Sequence, residues 1–142
     1  MGARTAAAAG GRPSYGGSAS PEAAMILVDT SIWITHFRRA VPALAQALED
    51  GQVGVHPFVF GELALGTLPG RDEILTLLGD LPWLVPSAHR EVLAFVERHH
   101  LSGSGVGWVD AHLLCAASHA QWNVWSADRR LAAVAARIGV AV

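Results

Sequence analysis

Four acidic residues stand out because the sequence around each of them is apolar. Asp29 follows the run ILV, Glu62 lies within FVFGELAL, Asp110 lies within GWVDAHLL and Asp128 closes VWSAD. A carboxylate buried without a partner destabilises a fold by several kcal/mol in effective terms, so each of these residues needs an explanation. The remaining acids lie near the start of the chain or in polar, helix-surface contexts, where a charge is expected.

Each of the four acids also has an ordinary structural explanation. Asp29 and Asp128 could cap the helices that follow them, because an Asp side chain accepts hydrogen bonds from the first N–H groups of a helix. Asp110 would be favoured in the first turn of its helix by the helix dipole. Glu62 could lie on the wet face of an amphipathic helix. For any one residue, these explanations stay open.

Taken together, the four acids indicate a site for a divalent cation. Two of them follow strands, and the other two lie on helices that follow a strand or a glycine-rich loop, so one edge of a sheet could collect all four. Carboxylates that converge in a partly dehydrated pocket repel one another unless a counter-charge is present. Oxygen ligands of this kind suit Mg²⁺ or Mn²⁺. The seven His residues are scattered and do not indicate a zinc site.

Strands alternate with helices in the predicted secondary structure. Short apolar runs predict strands at residues 26–28, 52–56, 83–85, 123–126 and 140–142. Helices are predicted at residues 31–39, 42–50, 58–67, 71–78, 89–101, 108–121 and 128–138. Apolar strands without polar alternation are typical of a parallel sheet that helices cover on both faces. We therefore predict an α/β fold with a central parallel sheet of about five short strands, the first of them near the sheet centre.

The length and composition of the chain indicate one folded domain, a disordered leader and a reducing compartment. Its 142 residues suffice for one domain, and residues 1–24 are so rich in Ala, Gly, Ser and Pro that we predict a disordered leader. We expect Met25 to be the natural start and residues 25–142 to form the folded domain. The single cysteine, Cys115, allows no disulfide within the chain, which fits a reducing compartment, the cytoplasm. No apolar run approaches the ~20 residues of a membrane span.

The absence of lysine excludes two classes of protein that use a lysine to bind phosphate or a phosphoryl group. All ten basic residues are Arg, so the chain fits neither a P-loop, which needs G-x-x-x-x-G-K, nor a response-regulator receiver, which needs a late-strand Lys. The sequence Asp29-Thr30-Ser31 lacks the D-x-D of haloacid-dehalogenase-type phosphatases. A net charge of −2 provides no general attraction for nucleic acid, although a local basic patch suffices for binding.

The order of these motifs resembles the PIN domain and, more narrowly, the VapC-type toxins of bacterial toxin–antitoxin pairs. In that family a first Asp closes strand one before Thr or Ser, and a Glu lies on the helix after strand two. An Asp then opens a later Ala-rich helix, and a fourth acid ends a T/S-x-D motif. The matching residues, spread over nearly all of 25–142, are Asp29 with Thr30, Glu62, Asp110 with Ala116, and Ser126 with Asp128. Separations of 33, 48 and 18 residues between the acids are typical of the family.

The resemblance implies a PIN-like fold and a Mg²⁺- or Mn²⁺-dependent endoribonuclease with an acidic catalytic cluster. Three of the acids would be metal ligands, namely Asp29, Asp110 and Asp128. The fourth catalytic acid, Glu62, would hold the attacking water or help to deprotonate it. The hydroxyls of Thr30 and Ser126 would orient the carboxylates from outside the ligand set.

The same resemblance implies macromolecular partners. RNA would be the substrate, guided by cationic side chains such as Arg38, Arg39, Arg129 and Arg130, whose guanidinium groups suit phosphate. These arginines can equally be ordinary solvated charges on helices. A VapB-type antitoxin would cover one apolar surface, and a second copy of the chain would cover another to form a homodimer. The alternative is a catalytically silent PIN-like module that binds RNA or a protein partner.

Overall fold

A computed structural model describes residues 24–142, and its centre is a parallel sheet. Strand β1 is Ile26–Val28, β2 is Val53–Gly54 and β3 is Asn123–Trp125. Their order across the sheet is β2-β1-β3, and β1 pairs in parallel with both neighbours. The parallel sheet and the central position of the first strand are therefore confirmed.

The prediction of about five strands is wrong, because the sheet in the described residues has three. Trp83 and Ala141 lie where the other two strands were expected, but each forms only one isolated parallel bridge, to Val55 and Val124. Prolines lie one residue before and three residues after Trp83. Because proline has no N–H to donate, the pairing at Trp83 has little room to grow into a ladder. The bridge at Ala141 likewise involves a single residue on each side.

Seven helices surround this sheet in the part of the chain that the structure describes. In chain order they are α1 (Thr30–Arg38), α2 (Pro42–Glu49), α3 (Pro57–Leu65), α4 (Arg71–Gly79), α5 (His89–Arg98), α6 (Trp108–Ala120) and α7 (Arg129–Arg137). Leu27 and Val28 of β1 are both fully buried. Successive strand residues point to opposite faces, so both faces of the sheet are covered, as predicted.

Helix α6 passes through the core, with every residue from 111 to 117 buried. A helix that is apolar on all sides is expected to be buried in this way. Since α6 leads into β3, a strand parallel to the others, it must run back against the strand direction. Its first turn, which contains Asp110, therefore lies at the edge where the strands end.

Residues before Ala24 lie outside the described part of the chain, and so does nearly all of the predicted disordered leader. Met25 is buried directly before β1. Among the described helices, none combines the length and the apolar character needed to cross a bilayer.

Candidate active site

Asp29 is a buried carboxylate at the end of β1. It occupies the N-cap position of α1, but its side chain forms no capping hydrogen bond. Its Oδ2 instead accepts hydrogen bonds from the hydroxyls of Ser31, at 2.9 Å, and Ser126, at 2.8 Å. Helix capping therefore does not explain this carboxylate. Its Oδ1 has no hydrogen-bond partner among the described residues.

The two hydroxyls that bind Asp29 also accept hydrogen bonds from the loop after β3. Ser31 Oγ accepts from the N–H of Ala127 at 3.1 Å, and Ser126 Oγ accepts from the N–H of Asp128 at 2.9 Å. Each hydroxyl thus joins the carboxylate to the end of β3. The sequence analysis predicted an orienting role for Ser126 but assigned no such role to Ser31. The signal was a hydroxyl two residues after Asp29, close enough to reach its side chain.

Thr30 forms a hydrogen bond with Glu62 rather than with the neighbouring Asp29. Its hydroxyl donates to Oε1 of Glu62 at 2.8 Å, across 32 residues of chain. Glu62 lies on α3 and is exposed. Helix α3 is held at its start by buried His56, whose Nδ1 accepts from the N–H of Phe58 at 2.9 Å.

Asp110 and Asp128 each use one carboxylate oxygen at the start of their own helix. Asp128 Oδ1 caps α7 by accepting from the N–H groups of Arg130, at 2.9 Å, and Leu131, at 3.2 Å. Asp110 Oδ2 accepts from the N–H of Gly107, the residue before α6, at 3.2 Å. Within residues 24–142 the second oxygen of each accepts no hydrogen bond, so local capping leaves half of each carboxylate available.

Electrostatics links the four acids. Burial raises the pKa of Asp110, the hydrogen bond from Gly107 lowers it, and the charges of Asp29, Asp128 and Glu62 each raise it. Carboxylates act on one another in this way only when they lie close together, so the structure brings all four predicted acids to one region. No Arg or His in the described chain forms an ion pair with any of them. Residues 24–142 therefore supply no contact that neutralises their repulsion.

The chemistry of these donors fits a hard divalent cation. All four are carboxylates, each is tethered through one oxygen, and each keeps a second oxygen without a protein partner in the described chain. As the side chains stand, no group of three or more Asp, Glu, His or Cys within residues 24–142 is close enough to hold one ion. Ligation by three of them would therefore require the side chains to draw together.

Comparison with known proteins yields consistent matches. The family model for the PIN domain matches residues 26–137. Two curated proteins named Ribonuclease VapC32, from the CDC 1551 / Oshkosh and H37Rv strains of Mycobacterium tuberculosis, are 46% identical to the chain over 119 residues. These matches cover 83% of this chain and 96% of each relative.

A solved structure, that of PAE2754 from Pyrobaculum aerophilum, resembles the chain in fold. The TM-score is 0.54, the sequence identity is 16%, and the match covers 78% of this chain and 79% of the other. At this level of identity the likeness concerns the fold alone.

Proposed function

The chain belongs to the PIN-domain family and is of the VapC type, and on that premise we propose that it is a Mg²⁺- or Mn²⁺-dependent endoribonuclease. The observation that carries the proposal is the approach of four carboxylates that have no cationic partner in the described chain. Such a cluster is stabilised by a divalent cation. The curated relatives are named ribonucleases, which supports RNA as the substrate.

The proposed metal ligands are Asp29, Asp110 and Asp128, through the oxygens that make no hydrogen bond in the described chain. Asp29 is held by two hydroxyls, whereas Asp110 and Asp128 are held by helix-terminal N–H groups. When bound, the ion lowers the pKa of water and stabilises negative charge on the phosphate under attack.

Glu62 is the proposed general base. It is exposed to solvent, and Thr30 holds its Oε1 while Oε2 is left to accept a proton. In the hydrolysis, the water oxygen would form a bond to phosphorus while Glu62 takes a proton from the water, and the bond from phosphorus to a ribose oxygen would break, with that leaving oxygen taking a proton from solvent. The hydrogen bond from Thr30, which directly follows Asp29 in the chain, would hold this carboxylate in place for that role.

Cleavage of total RNA by the purified protein tests the proposal. With Mg²⁺ or Mn²⁺ present, we expect cleavage, and we expect Asp29→Asn to lose more than the roughly 10–100-fold that follows loss of a residue that only orients a ligand. Glu97→Gln, which removes an exposed acid from α5, is the matched control and should retain activity. Cleavage that survives both EDTA and Asp29→Asn would come from a contaminant or another site. No cleavage with any metal would favour a silent binding module.

Metal binding can be measured without RNA. A ligand that binds only the folded state stabilises it by mass action, so Mg²⁺ or Mn²⁺ should raise the Tm of the wild-type protein. The metal should raise the Tm of Asp110→Asn much less, because this variant lacks one charged ligand and has less repulsion for the metal to relieve. An equal rise in Tm for the two proteins would place the ion elsewhere.

We further propose that residues 25–142 form the domain of a toxin that acts in the cytoplasm as a homodimer and is neutralised by a VapB-type antitoxin. The VapC name of the curated relatives supports the toxin type and the VapB-type partner in this proposal. Leu65, Leu77 and Leu93 are at least half exposed and offer apolar surface for partners. Expression in a bacterial host should arrest growth, the neighbouring reading frame should relieve the arrest, and Asp110→Ala should abolish it. Light scattering would measure the mass of the assembly.

A further inference from the structure

A cavity of about 400 Å³ lies against α7. Its lining consists of Ser104, Arg129, Arg130, Ala133, Val134 and Arg137. Half of these residues are arginines and none is acidic. We refer to this cavity, with its three arginines, as the arginine groove.

The arginines of the groove have no carboxylate partner in the described chain. Arg137 donates from Nη1 to the backbone carbonyl of His99 at 2.9 Å, which positions the side chain without neutralising it. Several guanidinium groups around one cavity create a local positive potential even in a chain whose net charge is −2. The charge of the groove therefore favours an anion, and guanidinium binds phosphate through paired N–H donors.

The backbone places this groove beside the acidic residues. Arg129 directly follows Asp128, and Arg129 and Arg137 lie two helical turns apart on one side of α7. Arg130 packs on the loop that leads to Asp110. At Gly105, where φ is +91°, an added Cβ would lie only 2.6 Å from Arg130 Cδ, so glycine permits this close contact. The groove thus adjoins segments that carry two of the four carboxylates.

Resting on the proposed nuclease function, we infer that the arginine groove binds backbone phosphates of a single-stranded RNA segment adjacent to the bond that is cleaved. An acidic site repels RNA, so the strand needs a cationic track beside it. The exposed side chains of Arg129 and Arg130 begin such a track directly after Asp128, and Arg137 extends it along α7. The recognised chemistry is the phosphodiester group, so binding would depend little on base sequence.

The test measures binding of a short labelled single-stranded RNA by fluorescence anisotropy, in EDTA so that no cleavage occurs. The groove variant is Arg129→Gln with Arg137→Gln. Its matched control, Arg90→Gln with Arg98→Gln, removes the same charge from exposed positions on α5. We expect the groove variant to bind on the order of tenfold more weakly and its salt-dependence slope to fall by roughly 1.4, as for two lost phosphate contacts. The control should keep the wild-type slope.

Two outcomes would contradict the inference. Equal RNA affinity and slope for groove variant and control would show that the groove does not bind RNA. Displacement of the RNA by polyglutamate at equal charge concentration would assign the groove to an acidic protein partner. A second variant, Arg129→Gln with Arg130→Gln, leaves the Arg137–His99 hydrogen bond in place and should show the same loss. Groove-dependent binding without cleavage in Mg²⁺ or Mn²⁺ would contradict the nuclease proposal while supporting the groove.

Discussion

Ser126 donates its hydroxyl proton to Asp29 and accepts the backbone N–H of Asp128, so one small side chain contacts two of the four acids. Asp128 at the same time caps α7 with one oxygen. Capping and a role in a metal site are therefore compatible, because a carboxylate has two oxygens and capping uses one. For this reason, the sequence around any single acid does not distinguish helix capping from metal binding.

Replacement of Ser126 tests this network. Ser126→Ala removes a hydroxyl that orients Asp29, so we expect RNA cleavage to fall about 10–100-fold. Ser126→Thr, which keeps the hydroxyl, should restore most of the activity. Thr35→Ala is the control, because the Thr35 hydroxyl donates to the carbonyl of Ser31 within α1 and contacts none of the four acids in the described chain. Equal activity of Ser126→Ala and the wild type would show that the contact does not position Asp29 for catalysis.

Gly54 in strand β2 and Gly61 in helix α3 differ in the space that surrounds them. An added Cβ at Gly54 would collide with the ring of Trp122 and approach the carbonyl oxygen of Pro82 at 2.9 Å, so the edge strand packs there only with glycine. At Gly61, inside α3, an added Cβ would meet nothing within 4 Å. Gly61 therefore weakens its helix without filling a packing requirement.

The two glycines predict opposite changes in stability. Gly54→Ala should lower the free energy of unfolding by roughly 1–3 kcal/mol, the usual range for overpacking a tight site. Gly61→Ala should raise it by up to about 1 kcal/mol, because alanine is the better helix former. Denaturant unfolding of both variants measures the difference, and two changes of the same sign would contradict this account of the packing.

At the scale of the whole molecule, a buried histidine makes the fold sensitive to acid. His56 is fully buried, its Nδ1 accepts from the N–H of Phe58, and its Nε2 has no hydrogen-bond partner in the described chain. Burial and, to a smaller degree, the charge of His112 lower the pKa of His56 to about 4. The folded protein therefore resists protonation of His56, whereas the unfolded chain accepts a proton near the ordinary value of 6.5.

This difference predicts how stability depends on pH. Between pH 6.5 and 4 the unfolded state binds the proton and the folded state does not, so stability falls as the pH is lowered through this window and levels off below it. The shift corresponds to roughly 3 kcal/mol. His56→Asn keeps an acceptor for the cap and should flatten the fall, while exposed His119→Asn should leave it unchanged. Urea unfolding across this window measures both, and equal slopes would exclude His56 as the cause.

The sequence by itself determined the positions of the helices, the parallel pairing of the strands and which four acids have apolar neighbours along the chain. These properties depend on local patterns: apolar runs without alternation, helical periodicity, and acidic residues in apolar surroundings. Such patterns are visible along the chain because backbone geometry repeats every two residues in a strand and every 3.6 in a helix.

Only the tertiary structure decided the number of strands and the partners of each acid. Residues 83 and 141 could extend the sheet only through backbone hydrogen bonds to distant segments. In the structure each residue forms one isolated bridge and no ladder. The hydroxyl of Ser126 reaches Asp29 across 97 residues, and Thr30 contacts Glu62 rather than its neighbour Asp29. The arginine groove likewise exists only in the folded protein, where Ser104 lies against α7. Contacts of this kind depend on how the elements pack, which short-range sequence patterns do not encode.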